Sequence, residues 1–174
     1  MNKRRAMILD TTAFIAGFSP SSIKDEIYSI PDVERELTKS SLAKLIFNTA
    51  VKAGRLKLCE PGVQYLNEAR RASREVGDLL SLSETDMKIL ALAIQLKKEG
   101  YTPIIVTDDY SIQNVAKKLS VNYASIAIFG IKFHLKWLLY CPACRRKYPP
   151  DYKFEECETC GTKLKRKPLT KSPA

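Results

Sequence analysis

The chain has one histidine, one tryptophan and seven glycines among its 174 residues. It has no apolar run approaching the ~20 residues of a helical membrane span. With His134 as the single imidazole and no evident catalytic partner for it, Cys/His nucleophilic chemistry is not expected. His134 reads instead as a surface or partner-facing residue. The glycines form neither a Gly-x-Gly-x-x-Gly fingerprint nor a Walker loop, so those phosphate cradles are absent. The N-terminus Met1-Asn2-Lys3-Arg4-Arg5 is basic, like the start of a signal peptide. The apolar stretch that follows, residues 6–9, is cut at once by Asp10, so no signal peptide is expected. A cytoplasmic protein with reduced or metal-bound cysteines is the reading that results.

What is present is positive charge: 29 Lys and Arg against 19 Asp and Glu, a formal +10. Apolar residues make up 45% and charged residues 28%, the composition of a globular chain long enough for one ordinary domain and a small appendix. A basic balance of this size points to a polyanionic partner, nucleic acid first. Ordinary solubilising charge is the plainer alternative, and charge alone does not choose between them.

Four of the five cysteines form two close pairs, Cys141-Pro-Ala-Cys144 and Cys157-Glu-Thr-Cys160. Two such turns, brought together by a hairpin, set four thiolates tetrahedrally around one Zn²⁺. The short segment between them, residues 145–156, suits a small zinc ribbon. Gly161 follows the second pair, where a positive φ is often needed, whereas Arg145 takes that place after the first. A disulfide framework is the alternative, disfavoured by the lack of an export signal. Cys59, in Leu56-Lys57-Leu58-Cys59, reads as a buried strand residue.

Residues 1–130 alternate between short apolar strands and helical patterns. Strands are expected at 6–9, 27–30, 56–59, 102–106 and, more weakly, 121–126. Helices are expected at 31–51, opening on Pro31, at 63–76, at 83–99 and at 111–119. Ser83, with Asp86 three residues on, resembles a capping box, and Gly100 closes that helix. The alternation predicts an α/β fold, a parallel sheet with helices on both faces. After Gly130 the period changes to two: Ile131, Phe133, Leu135, Trp137 and Leu139 alternate with Lys132, His134 and Lys136. Residues 131–167 therefore read as a β zinc ribbon with its linking strand, and 168–174 as a flexible basic tail.

In an open parallel sheet, ligands bind beyond the carboxyl ends of the strands, where strand order reverses. Asp10 ends the first strand, and Asp108 and Asp109 follow the fourth. Asp86 lies in a first helical turn, and Glu34 and Glu36 lie just inside the helix after the second strand. Carboxylates gathered without histidine suit hard divalent cations. Mg²⁺ or Mn²⁺ held there would activate water and stabilise a phosphodiester under in-line attack. Each acid also has a plain reading: Asp86 favours a helix N-terminus, Asp108 or Asp109 caps the next helix, Glu34 is solvated surface. Asp10 is hardest to dismiss, because an acid directly after a buried strand is costly unless paired or metal-bound.

Leu9-Asp10-Thr11-Thr12-Ala13-Phe14 resembles the first motif of the PIN-domain nucleases. Pro31-Asp32-Val33-Glu34-Arg35-Glu36-Leu37 resembles the second, Leu82-Ser83-Glu84-Thr85-Asp86 the third and Thr107-Asp108-Asp109-Tyr110 the fourth. The resemblance selects Glu36 over Glu34 and Asp109 over Asp108, leaving Asp108 and Thr107 as accessory positions. A cysteine ribbon directly behind such a domain resembles the Nob family, in its archaeal more than its eukaryotic form. Membership implies a metal-dependent endoribonuclease that cuts precursor small-subunit rRNA to its mature 3′ end, leaving a 3′-hydroxyl on the upstream product. It implies Asp10, Glu36, Asp86 and Asp109 as ligands of one or two Mg²⁺ or Mn²⁺, with Thr11 and Thr107 orienting groups around them. One structural Zn²⁺ would sit on Cys141, Cys144, Cys157 and Cys160. The partner would be RNA in the pre-ribosomal particle, with other assembly factors possible and no membrane. Because an acidic site repels RNA, basic groups elsewhere must bind its phosphates. Candidates are Arg70, Arg71 and Arg74, and on the ribbon Arg145, Arg146, Lys147, Lys163, Lys165 and Arg166. Tyr148 and Tyr152 either stack on bases or build the ribbon's core. A PIN-type toxin ribonuclease and a non-catalytic RNA-binding assembly factor are the alternatives.

Overall fold

The computed structural model describes residues 4–37, 41–79, 81–129, 133–149, 152 and 154–173. The chain divides into two compact units, Met1–Ile131 and Lys132–Ala174.

The first unit is built on five parallel strands: β1 (Arg5–Leu9), β2 (Glu26–Ser29), β3 (Lys57–Leu58), β4 (Thr102–Val106) and β5 (Asn122–Ala124). Their order is β3-β2-β1-β4-β5. Strand β1 is central, with Met7 opposite Ile27 on one side and Ile104 on the other. Residues Ala6, Met7, Ile8 and Leu9 are all buried. This is why the strand reads as a continuous apolar run: a strand covered on both faces has no polar side. The chain winds from β1 outward to β2 and β3, then crosses back to β4 and β5. Strand order therefore reverses between β1 and β4, and the carboxyl ends of those two strands flank the crevice.

Among the described residues six helices cover this sheet: α1 (Thr11–Ile15), α2 (Pro31–Glu36), α3 (Ser41–Lys52), α4 (Val63–Val76), α5 (Glu84–Lys98) and α6 (Tyr110–Lys118). Helix α1 packs on α2 and α3, while α4, α5 and α6 pack on one another. Right-handed crossovers between parallel strands put these two groups on opposite faces, so the expected helix-flanked parallel sheet is what forms. Helix α5 is the most deeply set, with Met87, Ile89, Leu90, Ala91, Leu92, Ala93, Ile94 and Leu96 buried. It starts at the expected capping box: Ser83 Oγ accepts from the Asp86 N–H, and the Asp86 side chain accepts from the Ser83 N–H.

Three elements differ from expectation. The single helix expected over 31–51 is two helices, because α2 ends at Leu37, whose N–H turns back to the Val33 carbonyl. Helix α1 has only five residues, too few to display a period, and is started by Asp10. The third strand pairs over two residues only.

The second unit is a three-stranded antiparallel sheet in the order β7-β6-β8, formed by β6 (Phe133–Tyr140), β7 (Lys147–Tyr148) and β8 (Lys165–Pro173). Residues 168–173, expected as a flexible tail, instead complete this sheet. Strand β8 pairs along the whole of β6, from Phe133 opposite Pro173 to Tyr140 opposite Lys165. A long strand such as β6 presents a row of unmet backbone groups at its free edge, and the tail satisfies them. Ala174 lies outside the described residues.

Phe47 of α3 is fully buried and meets Phe14 of α1 edge to face, ring centroids 5.1 Å apart. Phe47→Ala removes that ring from the core beneath the start of α1. It should cost about 3–5 kcal/mol in urea denaturation; a loss below ~1 kcal/mol would show that α1 is not anchored there.

Candidate active site

Asp10 follows β1 and is 4% exposed. Its Oδ1 accepts from Thr12 Oγ1 at 2.6 Å and from the Ala13 N–H at 3.0 Å, so the residue that starts α1 is also the acid at the sheet's carboxyl edge. Ser29, at the end of β2, donates to the Leu9 carbonyl at 2.8 Å and fixes the strand end just before Asp10. Thr107, fully buried after β4, accepts the Asp109 N–H at 3.1 Å, and its hydroxyl bonds to Asp10. Thr107 therefore ties together the two strand ends that flank the reversal of strand order.

The other acids are fixed through one oxygen each. Asp109 Oδ1 accepts from the Ser111 N–H at 2.8 Å and caps α6. Asp86 Oδ2 accepts from both the N–H and the hydroxyl of Ser83 at 2.8 Å. Glu36 Oε2 accepts from Thr11 Oγ1 at 2.5 Å, which links α2 to α1. The remaining oxygens of Asp109, Asp86 and Glu36 take no hydrogen bond from any described residue. The cap readings and the cluster reading are thus compatible, since capping occupies one carboxylate oxygen and leaves the other.

The acids feel one another. Burial pushes the Asp86 carboxyl up, with further upward pressure from the charges of Asp109 and Glu36, over opposing bonds from Ser83. Asp10 is pushed up to about 6 by burial, against bonds from Thr107, Thr12 and Ala13, and the charge of Asp86 adds to the rise. Among the described residues no lysine or arginine pairs with Asp10, Glu36, Asp86 or Asp109. Oxygen donors gathered without a protein cation fit a hard divalent ion. Asp108 is different: its Oδ1 accepts from Ser125 Oγ at 2.6 Å and from the Ile126 N–H at 3.1 Å, which holds it to the segment after β5.

Lys88 was invisible to motif reasoning. It sits two residues past Asp86 on α5 and bonds Asp32 of α2 at 2.8 Å and Glu60 at 2.6 Å. Asp32 and Glu36 are one helical turn apart, so this bridge braces the helices that carry Glu36 and Asp86. Lys88 holds the Asp32 carboxyl below its usual range. A single lysine inside the run Met87-Lys88-Ile89-Leu90-Ala91-Leu92 was the signal that could have flagged it.

In the second unit the Sγ atoms of Cys141, Cys144, Cys157 and Cys160 all lie within 4.8 Å of one another. Cys141 and Cys160 are 3.4 Å apart, as are Cys144 and Cys157. A tetrahedral ion with bonds of about 2.3 Å would set sulfurs roughly 3.8 Å apart, a spacing within the range these four span. Both turns close alike. The Arg145 N–H bonds the Cys141 carbonyl at 3.0 Å and the Gly161 N–H bonds the Cys157 carbonyl at 2.8 Å. Arg145 takes φ 61° and Gly161 φ 68°, so arginine accepts the left-handed turn that glycine takes freely. Tyr148, 4% exposed, packs with Cys141 and Cys157, and its hydroxyl lies 2.9 Å from Cys157 Sγ. That hydrogen bond pulls the Cys157 thiol down to about 5, toward the thiolate that ligates metals. Tyr148 is therefore core, with Tyr152 half-buried against it.

A family model described as the PIN domain of ribonuclease matches residues 7–96. Endoribonuclease Nob1 of Methanothermobacter thermautotrophicus is 39% identical over 161 residues, covering 92% of this chain and 91% of that protein. The chain belongs to the Nob1 family of PIN-domain endoribonucleases. Endoribonuclease Nob1 of Methanocaldococcus jannaschii is 36% identical over 94% of this chain and 78% of its own length. Ribonuclease VapC1 of Thermoplasma acidophilum is 32% identical over 91% of this chain and 76% of its own.

Of the basic residues considered for this Nob1-family chain, several are already engaged. Arg70 pairs with Glu84 at 2.9 Å, Arg146 with Glu158 at 3.0 Å and Lys163 with Glu155 at 3.3 Å. Arg71, Arg74, Arg145, Lys147 and Lys165 are exposed, and the side chain of Arg166 lies outside the described residues, as does that of His134. Cys59, expected as a buried strand residue, instead lies just past β3 and is half-buried, its thiol raised by burial and accepting from Gln95 Nε2 at 3.9 Å. No described helix is long and apolar enough to cross a membrane.

Because the folded-state value of Asp10 lies above its ordinary 3.8, its contribution to stability is full below about pH 4 and is lost as pH rises through about 6. In protein stripped of divalent cations, Asp10→Asn should abolish that loss. The variant should gain on the wild type by up to about 3 kcal/mol between pH 4 and pH 7. Parallel pH profiles for the two proteins would show that Asp10 is not the strained acid.

Proposed function

We propose that this chain is a divalent-metal-dependent endoribonuclease that cleaves precursor small-subunit rRNA at the mature 3′ end. The observation that carries the reading is the set of four carboxylates on β1, α2, α5 and the start of α6, mutually repelling and unpaired with any described cation. It is supported by membership of the Nob1 family. Asp10, Glu36, Asp86 and Asp109 would hold one or two Mg²⁺ or Mn²⁺, which supply, when bound, a polarised water and positive charge for the phosphodiester. The protein's own part is to orient. Thr107 and Thr12 hold Asp10, Ser83 holds Asp86, Thr11 holds Glu36 and the Ser111 N–H holds Asp109. Holding one oxygen of each acid fixes its orientation ahead of RNA binding, which lowers the reorganisation needed when RNA arrives. The product would carry a 3′-hydroxyl upstream of the cut.

In the second unit, Cys141, Cys144, Cys157 and Cys160 would hold one structural Zn²⁺, whose ligands are complete and leave no open position for chemistry. The ribbon would bind RNA phosphates through Arg145, Lys147, Lys165 and Arg166, with Arg146 and Lys163 exchanging their exposed glutamate partners for phosphate. Such surface pairs are worth little and yield readily. Four reduced thiolates suit a cytoplasmic protein. The relative named Ribonuclease VapC1 keeps open a ribonuclease with another target, and the PIN-type toxin is the second reading, separated from the first by which RNA is cut. A non-catalytic assembly factor would have no use for four acids held against their own repulsion.

The deciding comparison is Asp109→Asn against Asp108→Asn on an RNA spanning the precursor 3′ boundary, in Mn²⁺. Asp109→Asn should slow cleavage by at least about 100-fold. Asp108→Asn, bound to Ser125 and Ile126 away from the cluster, should lose far less. Cleavage by Asp109→Asn at the wild-type rate would refute the site. Wild-type cutting of mature RNAs in preference to the precursor boundary would favour the toxin reading.

A further inference from the structure

The ribbon's aromatic residues form a ladder with one free end. Tyr148 is buried among the cysteines, and Tyr152 lies on it with ring centroids 4.5 Å apart. Phe154 then meets Tyr152 edge to face at 5.6 Å and is itself 70% exposed. A phenylalanine has no polar tip to hold in water, and this one takes no place in the buried cluster around the cysteines. It is nonetheless held firmly. The Leu164 N–H bonds the Glu155 carbonyl at 2.8 Å, and Glu156 pairs antiparallel with Lys163. That pairing sets the residues just after Phe154 against Lys163 and Leu164, and both Lys163 and the following Lys165 are exposed. An outward-facing ring, braced from behind on a hairpin that carries exposed lysines, has the chemistry of a nucleobase-stacking site.

We propose that Phe154, backed by Tyr152, is a stacking platform for one unpaired nucleobase of bound RNA. The inference rests on the RNA-binding reading of the ribbon and gives that reading a specific point of contact. It also replaces Tyr148 in that role, because Tyr148 faces the cysteines. Stacking tolerates any base, so the platform would select single-stranded over paired RNA and would not itself read sequence.

The test is fluorescence anisotropy with a labelled 12-nucleotide oligouridylate and the zinc-loaded full chain, all proteins carrying Asp109→Asn so that the RNA is not cut. Adding Phe154→Ala or Phe154→Leu should weaken binding roughly 5- to 100-fold, while the slope of affinity against salt stays unchanged because no phosphate contact is removed. Phe154→Trp should keep or raise affinity. Zinc content is measured on each protein, and if Phe154→Ala loses metal the Leu and Trp pair decides. Parent-like binding by Phe154→Ala would overturn the platform. Parent-like binding by Phe154→Leu would also overturn it, pointing to an apolar protein contact in place of a base. A parent protein that does not bind the oligonucleotide at all would remove the RNA-binding reading of the ribbon itself, and the platform with it.

Discussion

The first unit depends on a repulsion it does not resolve with its own charges. A parallel sheet whose order reverses between β1 and β4 brings Asp10 and Asp109 to one edge, and α2 and α5 add Glu36 and Asp86. Each acid is held by neighbours that occupy one of its oxygens or, for Asp10, both hydroxyl and amide donors. None is neutralised by a described lysine or arginine. The cost appears as the upward pressure on Asp10 and Asp86. Proteins keep such strain where it serves a function, and a divalent cation is the ligand that would relieve it.

The surroundings oppose the repulsion through hydrogen bonds and one ion-pair bridge. Thr107 joins the two strand ends, Thr11 joins α1 to α2, and Lys88 joins α2 to α5 and to Glu60. The second unit meets a related problem differently. Four sulfurs as close as those of its cysteines are also mutually repelling once ionised, and the turns at Arg145 and Gly161, with the Tyr148 hydroxyl, bring them together as a set that could hold a single metal. Both units therefore fold chain around negative charge. Only the first keeps unoccupied donor capacity on its carboxylates, which is what chemistry requires.

Much of this was legible in order along the chain. Asp10 stood out because an acid directly after a buried strand needs a reason, and Ser83 with Asp86 declared their own capping box. The cysteine spacing pointed to two metal-binding turns, and the four sulfurs do come together. Glu36 and Asp109 could be chosen over Glu34 and Asp108 only through resemblance to known motifs. The physical distinction lies in tertiary partners, Thr11 for Glu36 and Ser125 for Asp108, which are remote in sequence. The same holds for Lys88, whose partners lie 56 and 28 positions away. Tyr148, Tyr152 and Phe154 look alike as exposed-or-core aromatics until the hairpin shows which end of the ladder faces the cysteines. Strand β8 was missed because a basic, proline-containing tail lacks strand signals of its own and is recruited by the edge of β6.

The account stands or falls on whether the carboxylate edge takes up a divalent ion. A ligand that binds only the folded state raises the unfolding midpoint with its concentration. The direct measurement is the thermal midpoint of the zinc-loaded protein against rising Mn²⁺, in wild type and in Asp109→Asn. A rise that continues into the millimolar range in wild type and is largely lost in the variant is the expected result. A wild-type midpoint indifferent to Mn²⁺, or an equal rise in both proteins, would contradict the account.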